Sequence, residues 1–75
     1  MRSTKFDLSV IIINYNSFEF TRECVQSVLK NTTSTVSYEI IIVDNASKKE
    51  DYAELKNYIS GLKYSNVRLY RSRIN

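Results

Sequence analysis

Two polar clusters in this 75-residue chain sit directly behind aliphatic blocks. Val10-Ile11-Ile12-Ile13 runs into Asn14-Tyr15-Asn16-Ser17, and Ile40-Ile41-Ile42-Val43 runs into Asp44-Asn45-Ala46-Ser47. Tyr15 offers a ring that can lie flat against a nucleobase, because stacking tolerates any π face. It would serve equally as a surface-packing tyrosine. Asp44 offers a carboxylate near two helix starts, able to accept from a ligand's N–H or hydroxyl groups. It would serve equally as an N-terminal cap for the second helix. Asn14, Asn16 and Asn45 read as turn and cap residues, since Asn readily bonds local backbone.

Other chemistries lack their residues. The first strand-to-helix turn holds no glycine, so neither a dinucleotide fingerprint nor a phosphate-cradling loop is present. Asp7, Asp44 and Asp51 are isolated, with no Asp-x-Asp pair. The chain has no histidine, which removes hydrolase triads and the common metal clusters. Cys24 is the single cysteine, without a disulfide partner or a base to activate it. It reads as a small buried helix residue in a reducing compartment.

The elements that must position these residues follow from the apolar pattern. Blocks that are apolar at every position, not at alternate positions, suit strands of a parallel sheet covered on both faces. Ligands of such sheets bind just beyond the carboxyl ends of the strands, where both polar clusters fall. The first strand is expected over about Leu8–Asn14. Asn16-Ser17 followed by Glu19 marks a helix start. Thr21, Cys24, Val25, Val28 and Leu29 then form one apolar helix face. Asn31 and the Thr32–Thr35 run end it. The second strand is expected over Tyr38–Val43, and Ser47-Lys48-Lys49-Glu50 has the form of a capping box. Tyr52, Leu55, Ile59 and Leu62 make the second helix face, and Gly61 is placed for a left-handed C-terminal cap. A third strand covers Val67–Tyr70. The order is β-α-β-α-β, an α/β arrangement.

Hydrophobic content of 43% and charged content of 25% suit a folded globular unit. Residues 1–7 read as a leader and 8–75 as a single folded unit. The net charge of +3 is mild and its basic residues form no stripe, which argues against nucleic-acid binding. No apolar run approaches the ~20 residues that span a bilayer. The sequons at Asn31-Thr32-Thr33 and Asn45-Ala46-Ser47 read as ordinary loop and cap residues.

Parallel crossovers are almost always right-handed, so adding three strands in one direction puts both helices on one face. One aliphatic set is then left bare: either Ile11, Ile13, Ile41 and Val43, or Val10, Ile12, Ile40 and Ile42. Each such side chain contributes about 1.5–3 kcal/mol when buried. The chain is therefore expected to be half of a larger sheet domain, an incomplete domain whose open face is covered by the remainder of that domain or by a second chain.

The segments Leu8–Asn16 and Glu39–Ser47 resemble the opening of glycosyltransferase family 2. That family's first strand typically ends in a Tyr-Asn pair. Its second ends in Asp, then Asp or Asn, then a small residue and Ser. The resemblance runs over about residues 8–75, including Asn-Val-Arg-Leu-Tyr at 66–70. It implies a Rossmann-like GT-A fold whose N-terminal half binds a nucleotide-diphosphate sugar, the donor of a hexosyl-type transfer to an acceptor. Tyr15 would stack on or flank the base, the backbone around Ile13 would approach it, and Asp44 would accept from the base or ribose. Asn45 stands where many members carry a second Asp, so no direct ligand role is carried over to it. Asn75 would begin the next Asn/Gly-rich loop.

The family's metal-binding Asp-x-Asp-like motif and its general-base carboxylate would lie beyond Asn75. A divalent metal, Mg or Mn, is thus expected only in the complete enzyme, and this chain alone is expected to be inactive. The lone Cys24 suits a reducing, cytoplasmic compartment, and a lipid-linked acceptor would hold the parent enzyme at the inner face of the membrane. Two other readings compete. One is a non-catalytic α/β interaction or scaffold module. The other is a receiver-like domain, which would need clustered acidic residues where Asn14, Tyr15 and Asn16 stand.

Overall fold

Both aliphatic blocks become neighbouring parallel strands in a computed structural model, which describes residues 6–33 and 35–72. The elements are β1 (Leu8–Asn14), α1 (Phe18–Asn31), β2 (Tyr38–Asn45), α2 (Lys49–Leu62) and β3 (Val67–Ser72). The sheet order is β1-β2-β3, all parallel. Register pairs Val10 with Ile40 and Ile12 with Ile42, and Ile40 and Ile42 with Val67 and Leu69. The expected β-α-β-α-β half of a parallel Rossmann-like sheet is the fold observed.

Alternation along the strands sorts the aliphatic residues into two faces. Ile40, Ile42 and Val67 point to the helices, where they close a core with Val25 of α1 and Leu55 of α2. Val10, Ile12, Val28, Leu29, Ile59 and Leu62 pack around it. The other face is bare: Ile11 is 64% exposed and Ile13 59% exposed, with Ile41 and Val43 half-buried between them. Of the two sets that could have been left open, it is the Ile11 set.

Several boundaries move. β2 and β3 each run two residues further than expected, because the parallel ladder continues through Asp44–Arg71 and Asn45–Ser72. Asp7, placed in the leader by its sequence, is tied to the sheet: its N–H donates to the Ser37 carbonyl at 2.7 Å. Residues 1–5 lie outside the described residues, as do Ser34 of the Thr/Ser run and Asn75. Cys24, expected to be buried, is half-buried. Gly61 does not form the left-handed cap. The helix continues through it to Leu62, which packs on the core, and Lys63 takes the left-handed conformation instead (φ 60°, ψ 31°). Packing of Leu62 outweighs the weak helix preference of glycine. Among the described residues no helix is long and apolar enough to cross a membrane.

Candidate functional site

Register places Asn14 beside Asp44, so the two strands deliver their polar ends to one rim. The turns that follow share one shape. Two residues after each strand-end pair, Asn16 (φ 51°) and Ala46 (φ 57°) adopt the left-handed conformation. Asn tolerates it, whereas alanine gives up about 1–2 kcal/mol there. A serine comes next in both turns, and each bonds back to its strand end. Ser17 Oγ donates to Asn14 Oδ1 at 3.2 Å, and Ser47 Oγ donates to Asp44 Oδ1 at 2.6 Å.

Asn14 is fully buried and joins the two turns. Its Nδ2 lies 2.8 Å from Asp44 Oδ1, 2.9 Å from Asp51 Oδ2 and 3.2 Å from Ser47 Oγ. Its Oδ1 accepts from Thr21 Oγ1 at 2.6 Å as well as from Ser17. Sequence reading makes Asn14 a turn residue; the structure makes it the centre of a buried polar network. Ser47 is equally occupied. Its hydroxyl gives its proton to Asp44 and accepts from the Asn16 N–H at 2.8 Å.

That occupation explains why the expected capping box does not form. With Ser47 turned into the network, α2 starts after Lys48 with no side-chain cap bond of its own. The two turns cap each other's helices instead. Asp51, in the first turn of α2, accepts from the Phe18 N–H at the start of α1 (2.9 Å). Asn16 Oδ1 accepts from the Lys48 N–H ahead of α2 (2.7 Å). Each acceptor satisfies a backbone donor that its own helix leaves free.

Arg71, at the end of β3, closes the network from the third strand. Its Nε lies 3.5 Å from Asp44 Oδ2, it donates to the Ser47 carbonyl at 3.0 Å, and its guanidinium sits 4.2 Å from the Tyr52 ring centroid. Burial alone would raise the Asp44 pKa. The bonds from Ser47 and Asn14 and the charge of Arg71 together outweigh it and hold the carboxyl below its ordinary value.

The residues expected at the site thus come together but stand in different environments. Tyr15 is 53% exposed, and among the described residues its ring makes no ring contact. Ile13 is exposed on the open face beside Val43. Asp44 is fully buried, with Oδ1 taken by Asn14 and Ser47, and with Oδ2 accepting from the Ser47 N–H at 3.0 Å and facing Arg71. It ties a turn and does not cap α2, whose N-cap is Lys48. Thr21, Ser47, Asp51 and Arg71 were missed as site residues. Only the matched polar clusters behind the two strands hinted at such a network. Among the described residues no pocket opens and no group of three metal-type side chains gathers.

The family model described as Glycosyl transferase family 2 matches residues 9–75. A poly(ribitol-phosphate) beta-glucosyltransferase of Bacillus spizizenii is 34% identical over 68 residues, which are 91% of this chain. The chain spans 10% of that relative's length.

Proposed function

The chain belongs to glycosyl transferase family 2, and on that premise we propose that its strand-end rim recognises the nucleotide of a nucleotide-diphosphate sugar. The protein carrying it would transfer the sugar, of hexosyl type, to an acceptor. The relative's name, a beta-glucosyltransferase, supports a hexosyl donor. The observation that carries the reading is the parallel pairing of Asn14 with Asp44, which sets the Tyr15 turn beside the Asp44 turn.

In this reading Tyr15 flanks the base with its free ring, and the backbone at Ile13 borders the same edge. Asp44 enters through Oδ2. The Arg71 Nε is 3.5 Å away, longer than a good hydrogen bond, so a base N–H or ribose hydroxyl would take that direction by displacing the guanidinium. A divalent ion finds no fitting donor set among the described residues. Asp51 spends both oxygens on Phe18 and Asn14, and the Asp44 Oδ1 is taken by Asn14 and Ser47, which leaves a single oxygen where a cation needs several. No step of the proposal therefore runs through a metal. The chain's part is recognition, with transfer requiring a base and a diphosphate partner from elsewhere in the enzyme. The bare Ile11 face would be covered there by the remainder of the catalytic domain.

The test is a titration of uridine or deoxythymidine diphosphate against the protein. Tyr15→Ala should weaken binding by roughly 5- to 150-fold, the value of one stacked base at about 1–3 kcal/mol. Asp44→Asn should weaken it further. Unchanged affinity in Tyr15→Ala would make the residue an ordinary surface tyrosine and remove the nucleotide from this rim.

A further inference from the structure

We propose that Asn14 is a positioning residue that locks the Tyr15 turn to the Asp44 turn, so that the two move as one body. The consequence for ligand affinity rests on the nucleotide reading above; the mechanical coupling does not.

Asn14 touches no solvent, so it is not itself a ligand contact. Among the described residues it is, however, the one side chain bonded to both turns and to both helices at once. Its acceptor faces the hydroxyls of Ser17 and Thr21 on the α1 side. Its donors face Asp44 at the end of β2 and Asp51 on α2. A carboxamide is suited to this because it offers an acceptor on one edge and two donors on the other. The carboxylates of Asp44 and Asp51 face it from β2 and α2, while α1 contributes only neutral hydroxyls. Arg71 of β3 brings a positive charge to Asp44.

Tyr15 is the next residue along the chain, and two amides of the turn that follows it are held by partners that Asn14 bonds. The Asn16 N–H is held by Ser47, and the Phe18 N–H by Asp51. Release of Asn14 would therefore free the Tyr15 turn without touching the apolar core of Ile40, Ile42, Val25 and Leu55.

The isosteric change Asn14→Asp tests this. It replaces two donors by a carboxyl facing Asp44 and Asp51. Burial and the two neighbouring carboxylates raise the pKa of the introduced group, which keeps one donor while protonated and none once ionised. Amide hydrogen exchange is the readout. With the introduced group ionised at alkaline pH, the Asn16 and Ser47 amides should exchange roughly tenfold faster than in the wild type, with Ile42 and Leu55 unchanged. The difference should shrink as the pH is lowered, a recovery that general loosening would not produce. Unchanged exchange at Asn16 and Ser47 in a folded variant overturns the proposal.

Should Asn14→Asp not fold, Thr21→Val gives the same decision. The Thr21 hydroxyl bonds Asn14 from α1 and leaves the Phe18 N–H with Asp51, so faster exchange at the Ser47 amide must pass through Asn14 and supports the coupling. An unaltered rate there refutes it. Uridine diphosphate should bind Asn14→Asp roughly tenfold more weakly at alkaline pH, the penalty easing as the pH is lowered. A wild type that binds no nucleoside diphosphate would end the nucleotide reading alone, because exchange still decides the coupling.

Discussion

The Arg71 guanidinium lies across the third strand from Asp44, 3.5 Å from Oδ2, and stacks on Tyr52 as it does so. The pair joins β2 to β3 at the point where the register matches Asp44 with Arg71. Breaking a buried carboxylate's pairing is more damaging than the pair's net stabilisation suggests, because the remaining charge has lost its compensation. Arg71 is partly exposed, so water would replace some of what it provides to Asp44. Arg71→Ala is expected to cost about 1–2 kcal/mol, read from urea denaturation.

The same pair sets an acid limb. Asp44 has a folded pKa below its unfolded value of about 3.9, so its contribution is complete above that pH. Stability is lost as pH falls through the lower folded value. Arg71→Ala removes one of the influences that lower the pKa, so the folded and unfolded values move closer together and the limb flattens. Asp44→Asn should flatten it further, at the cost of a lower plateau near neutrality. Denaturation midpoints collected between about pH 6 and pH 2 would show this, and an acid limb unaltered in Asp44→Asn would assign it to other carboxylates.

The end of α2 offers a stabilising pair of changes. Gly61 is helical with open space where a Cβ would stand, and Lys63 holds the left-handed conformation that a glycine adopts freely. Gly61→Ala and Lys63→Gly should each raise stability by about 0.5–1 kcal/mol. Since a methyl at Gly61 meets nothing within 4 Å, thermal melts of the double variant should show near-additive gains. A loss in Lys63→Gly would mean that its side chain contributes more than its backbone strain costs.

Much of this fold was legible because apolar blocks report burial directly. The two all-apolar blocks point to neighbouring parallel strands, and alternation along them marks Ile11, Ile13, Ile41 and Val43 as one face. The site was less legible. Nothing in the spacing of Asn14, Asp44 and Asp51 says that their side chains converge, because that depends on register and on the left-handed steps at Asn16 and Ala46. Ser47-Lys48-Lys49-Glu50 misled for the same reason. A capping box is a local pattern, and the Ser47 hydroxyl is already held by Asp44 at 2.6 Å and, from the neighbouring turn, by the Asn16 N–H at 2.8 Å. Gly61 misled because its local preference for a helix end gave way to the packing of Leu62.

Tyr58 carries a buried hydroxyl that makes no well-formed hydrogen bond among the described residues although Gln26 is close by, and burial raises its pKa. Its ring packs edge-on against Phe18, centroids 6.1 Å apart. Tyr58→Phe keeps the ring contact and removes an uncompensated polar group. It should be neutral or stabilising by up to about 1 kcal/mol in thermal melts. A clear loss would show that the hydroxyl finds a partner, with the neighbouring Gln26 side chain the first to examine.

The bare sheet face gives the last expectation. Register stacks Ile11, Ile41 and Arg68 in one row and Ile13, Val43 and Tyr70 in the next. Ile11, Ile13 and Tyr70 are all more than half exposed. Contiguous apolar surface of this kind drives association or dye binding when nothing covers it. The 75-residue chain prepared alone should therefore self-associate and bind a hydrophobic dye. Ile11→Thr with Ile41→Thr should suppress both, because threonine keeps the strand preference of isoleucine while breaking the apolar surface. Ile40 and Ile42 face the opposite side, so the core should be preserved in the double variant. Sedimentation as a monomer without dye binding in the unsubstituted chain would mean that this face does not require a cover.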